Sequence, residues 1–208
     1  MQKAKDSSFD MVHDTQAIYR KLLDGMARPG KINSIAPIIS RVEQIADFPT
    51  ALLGLAYTLV DREASFAVLS VPKEEIEKHI HWKTLSPIVA ADAADYVFIN
   101  HALEKEEIQQ VMGSLRTGTL ENPHESATLL LAVESFSEEA VKGQKLILRG
   151  PGIQHSCEIH ITGFSIDWLE ERKRINGEFP IGIDMILVSR AGEVLAIPRT
   201  TVIEWEEC

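Results

Sequence analysis

The chain has 208 residues, 31 of them acidic and 21 basic, for a formal charge of −10, with 45% apolar and 25% charged side chains. That size and balance fit one folded domain spanning 1–208 with its own core, and they exclude disorder, collagen and coiled coil. The acidic excess argues against a nucleic-acid binder, which needs a basic stripe, although two well-placed Arg suffice to hold a small anion. Two cysteines, Cys157 and Cys208, are too few for a disulfide framework and read as free thiols. The polar start has no apolar h-region, and the apolar stretch 51–60 is far shorter than the ~20 residues of a membrane span. A cytoplasmic location without membrane contact is therefore expected.

Residues 10–27 predict a helix. Val12, Tyr19, Leu23 and Met26 recur at helical spacing, with Met11, Ile18 and Leu22 widening the stripe. Asp10 is the expected N-cap, and Pro29-Gly30 the stop. A second, more apolar helix over 47–61 is expected to be central. Strand 65–71, helix 73–82, strand 95–99 and helix 103–112 follow. The run 126–133 reads as a strand by its length and flanking turns. Segments 145–148 and 157–161 flank Gly150-Pro151-Gly152 as an antiparallel hairpin. Helix 167–176 is closed by Gly177 as its C′ residue. Strands 183–188 and 194–197 are joined by a turn at Arg190-Ala191-Gly192. The tail from 202 carries three Glu and adds no signal. Helix–strand alternation early and hairpins late predict an α/β fold, a mixed β-sheet with helices on both faces.

Several polar sets carry two readings each. His13, Gln16 and Arg20 share a helix face and can present an imidazole, an amide and a guanidinium to an anion, or form a solvated surface. Arg28, before Pro29-Gly30, can satisfy helix-end carbonyls or be aimed elsewhere by the turn. Pro198-Arg199-Thr200-Thr201 offers a guanidinium fork and two hydroxyls for an anion, or an ordinary strand end. Asp184 sits in an apolar strand and needs a partner, either Arg199 or Arg28. In the preceding turn Phe179 reads as a core anchor. Gly150-Pro151-Gly152-Ile153 lets a backbone approach closely, but it lacks the third Gly of a dinucleotide fingerprint. Residues 113–119 imitate a phosphate loop without its Lys and after a helix. His79 and His81 point to different sides of a helix, and His160 faces away from His155 and Cys157, so no metal site is expected. No nucleophile stands in a known motif, and the catalytic residues stay unknown.

Taken together, Phe9 to Gln16 with Tyr19-Arg20, Met26 to Gly30, Leu59 to Phe66, Gly150 to Ile153, Asn176 to Asp184 and Pro198 to Thr201 resemble the PhnH family, the H subunit of the bacterial carbon–phosphorus lyase system. Six motifs in one order cover about 9–201, with Val60 standing where the pattern carries a second Leu. The resemblance implies a fold akin to the large domain of PLP-dependent aminotransferases. No Lys has a convincing Schiff-base setting, so PLP is not expected, nor another cofactor. The resemblance also implies an accessory role in joining an alkylphosphonate to the ribose of a nucleoside triphosphate, inside a complex with the G, I and J subunits. The family has no established catalytic role of its own. The carried-over positions are His13, Asp14, Thr15, Gln16, Arg20, Arg28, Asp61, Asn176, Asp184, Arg199 and Thr200, as ligand, interface or structural residues. A free-standing enzyme or binding protein for phosphorylated molecules and a purely structural adaptor are the alternatives. A homodimer is possible in isolation. Each of Arg28 and Arg199 follows an element end beside Pro, which predicts that both charge one pocket or interface.

Overall fold

The computed structural model describes residues 8–70, 72–137 and 143–207. The polar start, the last residue of the predicted strand 65–71 and Cys208 lie outside them. Helix α1 (His13–Ala27) begins later than expected, with Val12 rather than Asp10 at its N-cap position and no side-chain cap there; the Asp10 carboxylate instead sits one step ahead and accepts the Val12 and His13 amides at 2.8 and 3.0 Å. Its buried face corrects the expected stripe. Ile18 and Leu22 are in the core, together with Asp14 and Gly25, while Val12, Tyr19 and Leu23 are exposed. The reason is close packing at Gly25, where an added Cβ would lie 3.2 Å from the Ala196 side chain.

After α1 come a short strand β1 (Ile32–Ser34) and a one-turn helix α2 (Ala36–Ile39), neither expected from sequence. Helix α3 (Thr50–Leu59) is central as predicted, with Ala51 through Tyr57 all buried. Strand β2 (Phe66–Leu69), helix α4 (Lys73–Thr84), strand β3 (Tyr96–Ile99), helix α5 (Lys105–Ser114) and strand β4 (Thr128–Val133) follow the expected order. Helix α6 (Asp167–Ile175) and strands β8 (Asp184–Ser189) and β9 (Glu193–Ile197) also stand where sequence put them. The turn between β8 and β9 closes through Gly192, whose amide donates to the Ser189 carbonyl at 3.0 Å. Gly177 follows α6 without the positive φ of a left-handed cap, so the Asn176 amide alone closes the helix, on the Arg172 carbonyl at 2.8 Å.

The main sheet has six strands in the order β1-β9-β8-β4-β3-β2. Strands β2, β3, β4 and β8 are parallel; β9 alone runs antiparallel to them, and β1, antiparallel to β9, runs in their direction. The four parallel strands are continuous apolar runs because both faces are covered. Leu130, level with Phe98 and Ile186, faces α1, α3 and α4. Leu129 and Leu131 face the opposite way, with Val97, Ile99, Met185 and Leu187, toward α5 and α6. Each such fully buried side chain contributes about 1.5–3 kcal/mol.

The predicted hairpin forms, but not in the main sheet. Strands β5 (Ser135–Ser137), β6 (Gln144–Arg149), β7 (Cys157–Thr162) and β10 (Val202–Glu207) make a second, antiparallel sheet in the order β10-β6-β7-β5. Both edges of β4 are already taken, by β3 and β8. The hairpin therefore buries Leu146, Leu148, Ile159 and Ile161 against the sheet face that Leu129 and Leu131 occupy. The chain passes between the sheets at Glu134, whose amide donates to the Thr162 carbonyl at 3.0 Å. No described helix is long and apolar enough to cross a membrane.

Candidate functional site

The sequence-predicted residues converge where β8 begins and β9 ends. Asp184 opens β8, and Arg199 lies just past β9, so the antiparallel pairing sets them side by side. Their carboxylate and guanidinium form an ion pair at 2.7 Å, with the Asp184 side chain 16% and the Arg199 side chain 17% exposed. The Arg199 amide also donates to Asp184 Oδ1 at 2.7 Å. Nη2, which makes the ion pair, also donates to the Ser126 hydroxyl, and Nη1 donates to the Pro123 carbonyl at 2.7 Å. Nε reaches Asp184 Oδ1 at 3.4 Å, and Nη1 the Pro180 carbonyl at 3.5 Å. Every guanidinium nitrogen is thus engaged within the protein, leaving no fork for an external phosphate.

Asn176 performs the same kind of work. Its amide side chain receives the Ile183 N–H at 2.9 Å and donates to the Ile183 carbonyl at 3.0 Å, which ties the end of α6 to the start of β8. Gly182 lies against it: a Cβ there would stand 2.6 Å from Asn176 Oδ1. Phe179, expected as a core anchor, is 73% exposed. Ile183, fully buried, takes that place in the turn.

Arg28 does not join Arg199. Its guanidinium pairs with Asp24 one turn back on α1 and is largely exposed. The expectation of one shared cationic pocket is corrected accordingly: Asp24, which also pairs with Lys31 at 2.8 Å, holds Arg28 on its own helix. What the two motifs share is a backbone contact. Gly152, at φ +84°, packs so tightly that a Cβ would lie 2.3 Å from the Ala27 carbonyl oxygen. Gly150 does the same against the Thr200 carbonyl, at 3.0 Å. The Gly-Pro-Gly loop is a wedge between the end of α1 and the start of β10, as its composition allowed.

The remaining predicted positions are dispersed. His13 is exposed beside Asp10 at 2.9 Å, and hydrogen bonds from the helix start, first from the His13 amide, lower the Asp10 carboxyl to about 2. Asp14 is buried, accepting the Asp10 amide at 2.9 Å and the Arg41 guanidinium at 2.5 Å. The Thr15 hydroxyl donates to the Met11 carbonyl at 2.6 Å. Gln16 and Arg20 are exposed on α1 beside Tyr19 and Leu23. Asp61 closes a turn, accepting the Glu63 and Ala64 amides at 2.9 and 3.1 Å. Among the described residues no three His, Cys, Asp or Glu side chains gather as metal ligands.

Two cavities flank Arg199. On one side an open, acidic one holds Asp61, Asp95, Asp184 and His124. There, hydrogen bonds from Ser65 and the Arg116 guanidinium overcome burial and hold the Asp95 carboxyl below its ordinary value. On the other side a cavity of about 440 Å³ is lined by Asn176, Thr200, Thr201, Arg172, Lys173 and Trp205, among others. Arg172 is the residue that sequence reasoning missed. It stands on a helix rich in charged residues, yet it is 4% exposed. At the opposite edge, where the parallel strands end and α/β sheets commonly bind ligands, two further cavities share Asn100, His101 and Arg190. No motif pointed there.

The fold and this motif cluster define an α/β protein whose signature residues mostly tie strand ends together beside a cationic cavity. The family model described as bacterial phosphonate metabolism protein (PhnH) matches residues 7–204, and the chain belongs to that family. It is 33% identical over 188 residues, 89% of this chain and 84% of the other, to a protein of Stutzerimonas stutzeri provisionally named C-P lyase subunit protein HtxG. It is 32% identical over 204 residues, 95% of this chain and 94% of the other, to the alpha-D-ribose 1-methylphosphonate 5-triphosphate synthase subunit PhnH of Rhizobium meliloti strain 1021.

Proposed function

We propose that this chain is an accessory subunit of a carbon–phosphorus lyase system, acting in the step that joins an alkylphosphonate to the ribose of a nucleoside triphosphate with release of the base. The observation that carries this is correspondence along nearly the whole length of both chains with a relative named as a subunit of that synthase. Accessory rather than catalytic is the reading that the motif cluster supports. Asp184, Arg199 and Asn176 spend their hydrogen bonds on the protein itself.

The partners are the G, I and J subunits, in the cytoplasm. The exposed face of α1, with Gln16, Tyr19, Arg20 and Leu23, is the surface that meets them: Tyr19 and Leu23 are about half exposed there and pack on nothing in this chain's core clusters. The fold is that of the aminotransferase large domain working without PLP. In support, no described lysine is buried, whereas a Schiff-base lysine needs shelter from water to titrate near neutrality.

Co-expression with the G, I and J subunits, followed by gel filtration with light scattering, tests the proposal. One stoichiometric particle containing all four chains is expected. Elution of this chain alone, at monomer or dimer mass, overturns it and shifts the weight to a free-standing protein.

A further inference from the structure

The cavity between α6 and the segment 199–205 has the makings of an anion site that no motif residue explains. Arg172 projects from α6 under its floor. Two of its nitrogens donate to backbone carbonyls, Nη1 to Thr201 at 3.1 Å and Nη2 to Pro198 at 2.7 Å. Nε has no partner, and among the described residues no carboxylate pairs with the group. Burial lowers its pKa to about 10, with Asp184 opposing only in part. A guanidinium that is 4% exposed and met by carbonyls alone is a buried charge without a counter-ion, an arrangement that proteins avoid.

Three further observations point the same way. Thr201, 2% exposed, is among the residues lining the same cavity, and its buried hydroxyl also lacks a partner. Lys173 stands exposed at the rim, its ammonium 5.7 Å from the centroid of the Trp205 ring. The opposing charges are few. Asp184 is committed to Arg199, and Glu204, the one acidic residue in the lining, lies 3.8 Å from Arg149. A cationic hollow on a chain of net charge −10 is not a by-product of composition. At about 440 Å³ it is large enough for a small-molecule ligand.

We infer that this cavity binds the phosphate tail of a triphosphate, with Lys173 at its mouth, Arg172 as fixed charge beneath it and the Thr201 hydroxyl as a donor. Anion binding rests on the cavity alone. The choice of a triphosphate over a single phosphate rests on the function proposed above, in which both the nucleotide consumed and the ribose product carry one. Phe179 and Trp205 flank the cavity and offer aromatic surface to a base.

Titration calorimetry of the full chain tests this with four probes: tripolyphosphate, ATP, inorganic phosphate and methylphosphonate. Tripolyphosphate and ATP are expected to bind, more weakly as salt rises. A tighter ATP identifies a nucleotide as the source, and equal affinities a triphosphate without its base. Lys173→Glu is expected to weaken binding at least about tenfold, the worth of one charged contact. Lys78→Glu, on α4, should change nothing. Arg172→Met should abolish binding, and because it can also unfold the chain, Lys173→Glu and Thr201→Val carry the test. Silence from tripolyphosphate and ATP overturns the site, as does binding that neither Lys173→Glu nor Thr201→Val alters. Binding of phosphate or methylphosphonate as tight as tripolyphosphate overturns the triphosphate assignment. Triphosphate binding by a chain that fails to join the other subunits keeps the site and removes the proposed function.

Discussion

Replacing Arg199 with Ala removes a guanidinium that bridges four residues: Asp184 at the head of β8, Pro180 in the turn before it, and Pro123 and Ser126 ahead of β4. The Asp184 carboxylate, 16% exposed, is left with one backbone amide as its remaining partner, and the Pro123 carbonyl and Ser126 hydroxyl lose their donor. Removing one member of a nearly buried ion pair costs about 3–5 kcal/mol. With a urea dependence of about 2 kcal/mol per molar, the unfolding midpoint falls by about 1.5–2.5 M. Arg199→Lys keeps the charge but not the fork, and should recover only part of the loss. Asp184→Asn should cost less when Arg199 is already Ala, with a coupling above about 1 kcal/mol in the double-mutant cycle. Urea titrations followed by circular dichroism measure the parent and all four variants. An Arg199→Ala midpoint equal to the parent's would refute the structural role, and loss of phosphonate-dependent growth with unchanged stability would return Arg199 to the ligand.

Three other outcomes are expected. His79 meets the Tyr57 hydroxyl at 2.6 Å, and burial, aided by Lys83 against Glu43, lowers its pKa below 6.5. The unfolded chain then takes a proton that the folded one resists, so this contribution is complete above about pH 6.5 and is lost as pH falls below it. His79→Gln should flatten that part of the stability profile, and identical acid slopes for parent and variant would remove His79 from the account. Gly152→Ala forces a side chain into φ +84° and against the Ala27 carbonyl, at a cost of about 1–3 kcal/mol read from thermal melts. The double change Tyr19→Glu and Leu23→Glu should leave the melting temperature within a few degrees while abolishing co-elution with the other subunits; retained co-elution places the contact elsewhere.

Much of the fold was legible because burial on both faces gives parallel strands a plain signature. Runs such as 66–69 and 128–133 are continuous apolar stretches, and turn chemistry marked Gly192 and Pro29-Gly30. Other elements were not legible, for physical reasons. β1 and α2 are too short to carry a period. β10 alternates Ile203 and Trp205 with glutamates, a period-two pattern that its acidic tail masked. On α1 the apolar residues cover too wide an arc for sequence to choose between the Ile18 and Tyr19 columns; Gly25 against Ala196 makes the choice. The site was half legible. Motif positions Asp184, Arg199 and Asn176 do meet, but sequence cannot show that their hydrogen bonds close on one another. Arg172 escaped notice because a charged residue on a surface helix looks solvated until β10 is laid over it.

The pairing of β1 with β9 has a consequence for how the chain is made. Ile32 waits for Leu195 as its neighbour, and β4 waits for β8. During synthesis the N-terminal helices and β2, β3 and β4 can assemble, but until Asp184–Ser189 emerges the growing sheet ends in a bare β4. That edge carries Leu129, Leu130 and Leu131 in one unbroken run, a template for pairing with another nascent chain. A ribosome-stalled or truncated product that stops before residue 184 should therefore recruit chaperones or aggregate, and synthesis speed across 134–184 becomes a determinant of yield.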